Sequence, residues 1–160
     1  MDRFVSTFTN KVDAKGRVSV PASFRAALAK DGFEGVFCYP SLDAEALDGG
    51  GNRLVNQIHE LLDNLDPYSD ERDHLSTALF GVSEVLKLDS DGRVILSDRL
   101  KEHAGITDQV TFVGLGDKFQ IWEPKRFEAH LAAGRDRLRE MKKLLGGARR
   151  EAAAAKGARE

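Results

Sequence analysis

The residues best equipped for chemistry sit together in one six-residue stretch, Asp13-Ala14-Lys15-Gly16-Arg17-Val18. A lysine and an arginine flank a glycine. The aspartate before them can accept backbone N–H bonds at the entrance of a turn. Gly16 can take the positive φ of a tight turn and lets the backbone approach a partner closely. Two cations at such a tip can grip an anion, although the same pattern also serves as a charged end that keeps a sheet edge soluble. The stretch returns 76 residues later as Asp89-Ser90-Asp91-Gly92-Arg93-Val94, with four of the six positions unchanged. A pattern repeated in the same context reads as an internal duplication. Because Asp91 replaces Lys15, the first copy reads as the working surface and the second as its structural twin.

Other chemistries find little support. His59, His74, His103 and His130 are scattered, with no i, i+4 pair, which argues against a zinc site. Cys38 stands alone, so no intramolecular disulfide can form, and it reads as a small buried hydrophobe in a strand. No phosphate loop, nucleophile with base, or pair of acids is present, so neither an enzyme, a cofactor nor a small-molecule substrate is expected. The formal charge of −2 hides a gradient. Residues 1–30 carry +4, residues 31–124 carry −12 and residues 125–160 carry +6. A basic amino end beside an acidic middle suits a one-sided surface for a polyanion. No segment has the length of a membrane span or the pattern of a signal peptide, so a cytoplasmic protein is expected.

These residues need elements to position them. Phe4 to Val12 reads as one strand, with Phe4, Phe8 and Val12 on one face. A turn over 13–16 leads to a return strand over 17–20, and Pro21 ends it. Ala22 to Lys30 reads as a short helix and Val36 to Tyr39 as a buried strand. Residues 41–52 have no clear period, and Leu47 to Asn52 reads as a flexible turn or loop. Two helices follow, over 54–65 and from Ser69 to about Phe80. The plan then repeats: strand 82–88, turn 89–92, return 93–96, a helix capped by Ser97 or Asp98, and strands 109–113 and 119–122. A terminal helix from Pro124 should turn Phe127, Leu131, Leu138, Met141 and Leu145 inward. The expected organisation is two halves, 1–52 and 82–124, around a helical connector 53–81, then a helix over 125–146 and a disordered tail over 147–160.

Four fragments carry a resemblance. They are Val12 to Pro21 with Phe24-Arg25; the second Asp-x-x-Gly-Arg copy; Glu102-His103-Ala104-Gly105-Ile106; and Val113-Gly114 with Phe119-Gln120-Ile121-Trp122. In this order and spacing they resemble the MraZ family of bacterial transcriptional regulators, built from two SpoVT-AbrB-type half-domains. The resemblance covers about Phe4 to Leu145. It implies an α+β fold: a duplicated, swapped-hairpin, AbrB-like β-barrel with flanking helices, assembling as a ring-shaped homo-oligomer. It further implies binding to double-stranded DNA at short G-rich direct repeats upstream of the division and cell-wall gene cluster, the protein's own promoter included. The protein would then be nucleoid-associated. The family's DNA-contacting Lys-Gly-Arg falls on Lys15, Gly16 and Arg17. Ser97 stands where the family commonly has proline.

The residue chemistry fits that implication. Arginine can donate two hydrogen bonds to O6 and N7 of guanine, and lysine can meet phosphate or guanine. Arg3 and Lys11, on or beside the first strand, are candidate phosphate contacts, with a solvated face as the equal alternative. Arg25 suits an ion pair or a subunit contact, and Arg93, beside Asp91, suits a structural ion pair. Two other functions use the same half-domain: an antitoxin-like protein with an arm that folds on its toxin, and a scaffold that assembles without reading DNA.

Overall fold

The computed structural model describes residues 2–159. In chain order the first half contains β1 (Thr7–Lys11), β2 (Arg17–Ser19), α1 (Ala22–Lys30), β3 (Val36–Pro40) and β4 (Leu47–Gly50). Two connecting helices follow, α2 (Asn52–Asp63) and α3 (Asp70–Ser76), and α3 runs into a π-helical turn, Thr77–Gly81. The second half contains β5 (Glu84–Leu86), β6 (Arg93–Ile95), α4 (Asp98–Ala104), β7 (Gln109–Gly114) and β8 (Phe119–Trp122). The chain ends in α5 (Pro124–Arg159). It divides into two units, Met1–Pro124 and Lys125–Glu160.

Within the first unit the halves interlock. A six-stranded antiparallel sheet runs β1-β7-β8-β4-β3-β5, and β2 pairs with β6 in a separate two-stranded ribbon. Each return strand therefore pairs with the return strand of the other half. Val18 faces Val94 across the ribbon, and these two valines are related by the 76-residue repeat. The ribbon thus straddles a pseudo-two-fold axis. Asp48 faces Gln120 in the sheet, where β4 meets β8.

The strands do not close into the expected barrel: β1 and β5 remain sheet edges. Backbone bonds near the tips tie the two halves together. Val12 donates to the Asp108 carbonyl at 2.9 Å and holds the end of β1 on the second half. Val20 donates to Gly92 at 3.0 Å and Leu96 to Gly16 at 2.9 Å, which ties β2 and β6 to each other. Between β1 and β2 a side chain makes the bridge, as Asn10 Nδ2 donates to the Ser19 carbonyl at 2.7 Å.

Phe24 of α1 is fully buried at the centre of the core, with Phe4, Phe8, Phe112 and Phe119 around it at ring separations of 5.0–6.2 Å. Its repeat partner, Leu100 of α4, is equally buried. Truncating such a phenylalanine to alanine costs about 3–5 kcal/mol. A second apolar cluster joins Phe37 and Tyr39 of β3 to Leu54, Ile58 and Leu62 of α2 and to Leu79. The acidic connector is thereby fixed to the sheet.

Further expectations change. The first strand is broken: Ser6 takes φ 72°, and Phe4 forms an isolated bridge to Gly116. Phe4 and Val5 cross over Gly114, where a Cβ would collide with their backbone. The stretch Leu47–Gly50 is a buried strand rather than a flexible loop. Its glycines answer to packing, since a Cβ on Gly49 would lie 2.7 Å from the Phe119 ring and one on Gly50 would lie 3.0 Å from Leu54. In the second unit, α5 continues past Gly146-Gly147 to Arg159. Alanine-rich sequence has high helix propensity and sustains a helix that lacks an apolar stripe. Leu131, Leu138, Met141 and Leu145 on this helix are exposed rather than turned inward.

Candidate nucleic-acid interface

The first tip is built by Asp13. Its Oδ1 accepts the backbone N–H groups of Lys15 and Arg17, each at 2.9 Å, and its Oδ2 accepts Arg17 Nε at 2.6 Å. Two backbone bonds complete the turn, Gly16 N to the Asp13 carbonyl and Asp13 N to the Arg17 carbonyl, both 3.0 Å. Gly16 takes φ 82°, and a Cβ there would lie 2.9 Å from the Leu96 carbonyl oxygen. The donated N–H of Arg17 is the main influence lowering the Asp13 pKa, against an opposing desolvation and ahead of the Arg17 side chain and the Lys15 N–H. A carboxylate held this way stays ionised and locks the guanidinium direction. Arg17 spends only its Nε on Asp13, and among the described residues its two terminal nitrogens have no protein partner. Lys15 is exposed beside it.

The second tip repeats this geometry. Asp89 accepts the N–H groups of Asp91 and Arg93 at 2.9 Å and Arg93 Nε at 3.0 Å, and Gly92 takes φ 76°. One contact is new, from Arg93 to Asp91 Oδ2 at 3.3 Å. Arg93 is the carboxylate-paired residue its neighbours suggest. Arg17 is carboxylate-paired as well, so the ion pair does not distinguish the tips. What distinguishes them is Lys15 against Asp91.

The duplicated tips, the interlocked halves and the fragments carried on β7 and β8 can now be set beside known proteins. A family model described as "MraZ protein, putative antitoxin-like" matches residues 79–143. A protein of Beijerinckia indica named transcriptional regulator MraZ is 63% identical over 145 residues, covering 91% of this chain and 88% of its own. The protein of that name in Xanthobacter autotrophicus is 60% identical, covering 91% and 93%. In Azorhizobium caulinodans the figure is 55%, with the same coverage. The chain belongs to the MraZ family of transcriptional regulators.

In this MraZ-family chain the candidate residues do not all gather at one place. Lys15, Gly16 and Arg17 form the tip, and Lys11 is exposed at the end of β1 that leads into it. Arg3 lies beyond the other end of β1, where its Nε meets Asp117 at 3.1 Å, and Arg53 shares that carboxylate at 3.9 Å. Among the described residues Arg25 forms no ion pair. Its Nε donates to the Val20 carbonyl at 3.1 Å, and its guanidinium carbon lies 2.7 Å from the place a Cβ on Gly92 would take. One residue escapes a reading of the sequence alone. Lys101 on α4 covers Gly16 in the way Arg25 covers Gly92, its Nζ 3.7 Å from the would-be Cβ. The signal was available, because Lys101 follows Arg25 by the same 76 residues. Only the interlocked topology, however, says that each cation reaches the opposite tip. No group of three or more metal-binding side chains occurs among the described residues, and none of their helices is long and apolar enough to cross a membrane.

Proposed function

We propose that this chain binds double-stranded DNA in a sequence-specific manner through the first tip. Arg17 reads guanine in the major groove with its terminal nitrogens while Asp13 braces its Nε. Lys15 meets phosphate or the next guanine, Gly16 brings the backbone close, and Lys11 adds a phosphate contact. Arg3, at the other end of β1 with its Nε on Asp117, is a further candidate phosphate contact apart from the tip. The observation that carries the reading is the exposed Lys15 beside the braced Arg17, where the second tip sets Asp91 beside its braced Arg93. A single tip makes few contacts. A ring-shaped homo-oligomer would present several tips at once to short G-rich direct repeats and gain affinity through effective concentration. The sites belong, on this reading, upstream of the division and cell-wall gene cluster, including the protein's own promoter. The protein acts in the cytoplasm on the nucleoid.

The test is binding to the protein's own upstream duplex and to a scrambled one across a salt series, with Arg17→Ala alongside and particle size followed by light scattering. The natural duplex should win. Arg17→Ala should remove about 1–3 kcal/mol of that preference and leave particle size unchanged. Equal binding of both duplexes, or no effect of the substitution, would overturn the reading.

A further inference from the structure

We propose that Lys101, delivered by the second half, is a phosphate-binding residue of the first tip, so that one DNA-contacting site is assembled from both halves. The inference rests on the DNA reading above and deepens it. Leu96 donates its N–H to the Gly16 carbonyl at 2.9 Å and fixes the tip against the chain that enters α4. Ser97 caps that helix, its hydroxyl accepting the Leu100 N–H at 3.4 Å. One turn on, Lys101 brings its ammonium over Gly16, which lies between Lys15 and Arg17. The side chain is a quarter exposed, and its one ion pair among the described residues is with Asp98 Oδ1 at 3.4 Å, a carboxylate almost wholly in water. Such a pair is weak, so it leaves the ammonium available to a phosphate.

The mirror site shows that the placement is built into each half. Arg25 lies over Gly92 in the corresponding position. Around Gly92, however, the tip carries Asp91 in place of a lysine, and Asp91 takes one end of Arg93. The two tips thus differ in charge while sharing one scaffold. At the first, Lys15, Arg17 and Lys101 face Asp13 and Asp98. At the second, Arg25 and Arg93 face Asp89 and Asp91. Three cations from two halves suit a backbone that passes over the tip while Arg17 enters the groove. A point-charge lysine above the turn positions the duplex without reading a base.

The experiment measures affinity for the natural and the scrambled duplex against salt for the full chain, Lys101→Met, Lys101→Arg and Arg17→Ala. Lys101→Met should lower affinity for both duplexes alike, keep their ratio, and reduce the salt slope by about one. Lys101→Arg should restore the slope. An unchanged slope in Lys101→Met, whether or not the ratio changes, would overturn the inference. Should Arg17→Ala abolish the preference while Lys101→Met changes nothing, the Lys101 assignment fails and the DNA reading survives. If the unsubstituted chain binds neither duplex, both fail.

Discussion

Asp13 and Asp89 do the same work at two tips, and that work depends on charge. Each carboxylate is held below its ordinary pKa of 3.8, chiefly by the backbone N–H of the arginine four residues on, with desolvation opposing. The lowered value belongs to the folded chain. The stabilisation it represents is therefore complete above the ordinary carboxylate range and is lost as pH falls through the lowered pKa. Carbon-detected NMR titration should show both groups protonating below 3.8, with the amide signals of Arg17 and Arg93 shifting in step. Protonation of either group at or above 3.8 would contradict the brace. At this scale much was legible in the sequence. An aspartate, a glycine and an arginine at fixed offsets specify the turn, and the change from Lys15 to Asp91 separates the copies. The brace on Arg17 was not legible as a shared feature, because residue types alone do not show that Nε is used and the terminal nitrogens are left.

At the scale of elements, glycine was the hard residue to interpret. Leu47-Asp48-Gly49-Gly50 has the composition of a loop, yet it is a central strand between β3 and β8. The aromatic ring that needs the space, Phe119, lies 70 residues away in sequence, so no local window contains the reason. Gly49→Ala should lower stability by about 1–3 kcal/mol in urea unfolding, since the added carbon must displace Phe119. A gain in stability would mean that the glycine was there for flexibility. The short capped helices α3 and α4, by contrast, were readable. Ser69 accepts the Arg72 N–H, Ser97 accepts the Leu100 N–H, and Gly105 ends α4 at φ 66°. Each of those signals is local and involves the residue's own backbone. The kink at Ser6 was missed for the same reason as the strand. It follows from the distant Gly114, over which the chain crosses.

At the scale of the molecule, the duplication explains the topology. β1, β2 and β4 of the first half all pair with strands of the second. Neither half has a complete sheet of its own. A chain cut after residue 81 should therefore yield no folded monomer from residues 1–81, and mixing with residues 82–160 should restore the native circular dichroism and cooperative unfolding. A folded monomer of 1–81 would refute the interlock. The repeat spacing made two related halves visible in the sequence, but an offset of 76 residues cannot say whether the halves lie side by side or exchange strands. The ladder between Val18 and Val94 decides that, and it also brings Lys101 to the first tip. The most direct test of the claim that the first tip meets DNA uses the duplication as its own control. Ala14 and Ser90 occupy matching exposed positions on the two tips, and Cys38, the chain's one cysteine, is fully buried. Ala14→Cys and Ser90→Cys can each carry a photo-crosslinker, applied to the protein on its own upstream duplex. Crosslinking from position 14 and little from position 90 is the predicted result. Equal crosslinking from both positions, or crosslinking from position 90 alone, would contradict the assignment of the first tip as the DNA-contacting surface.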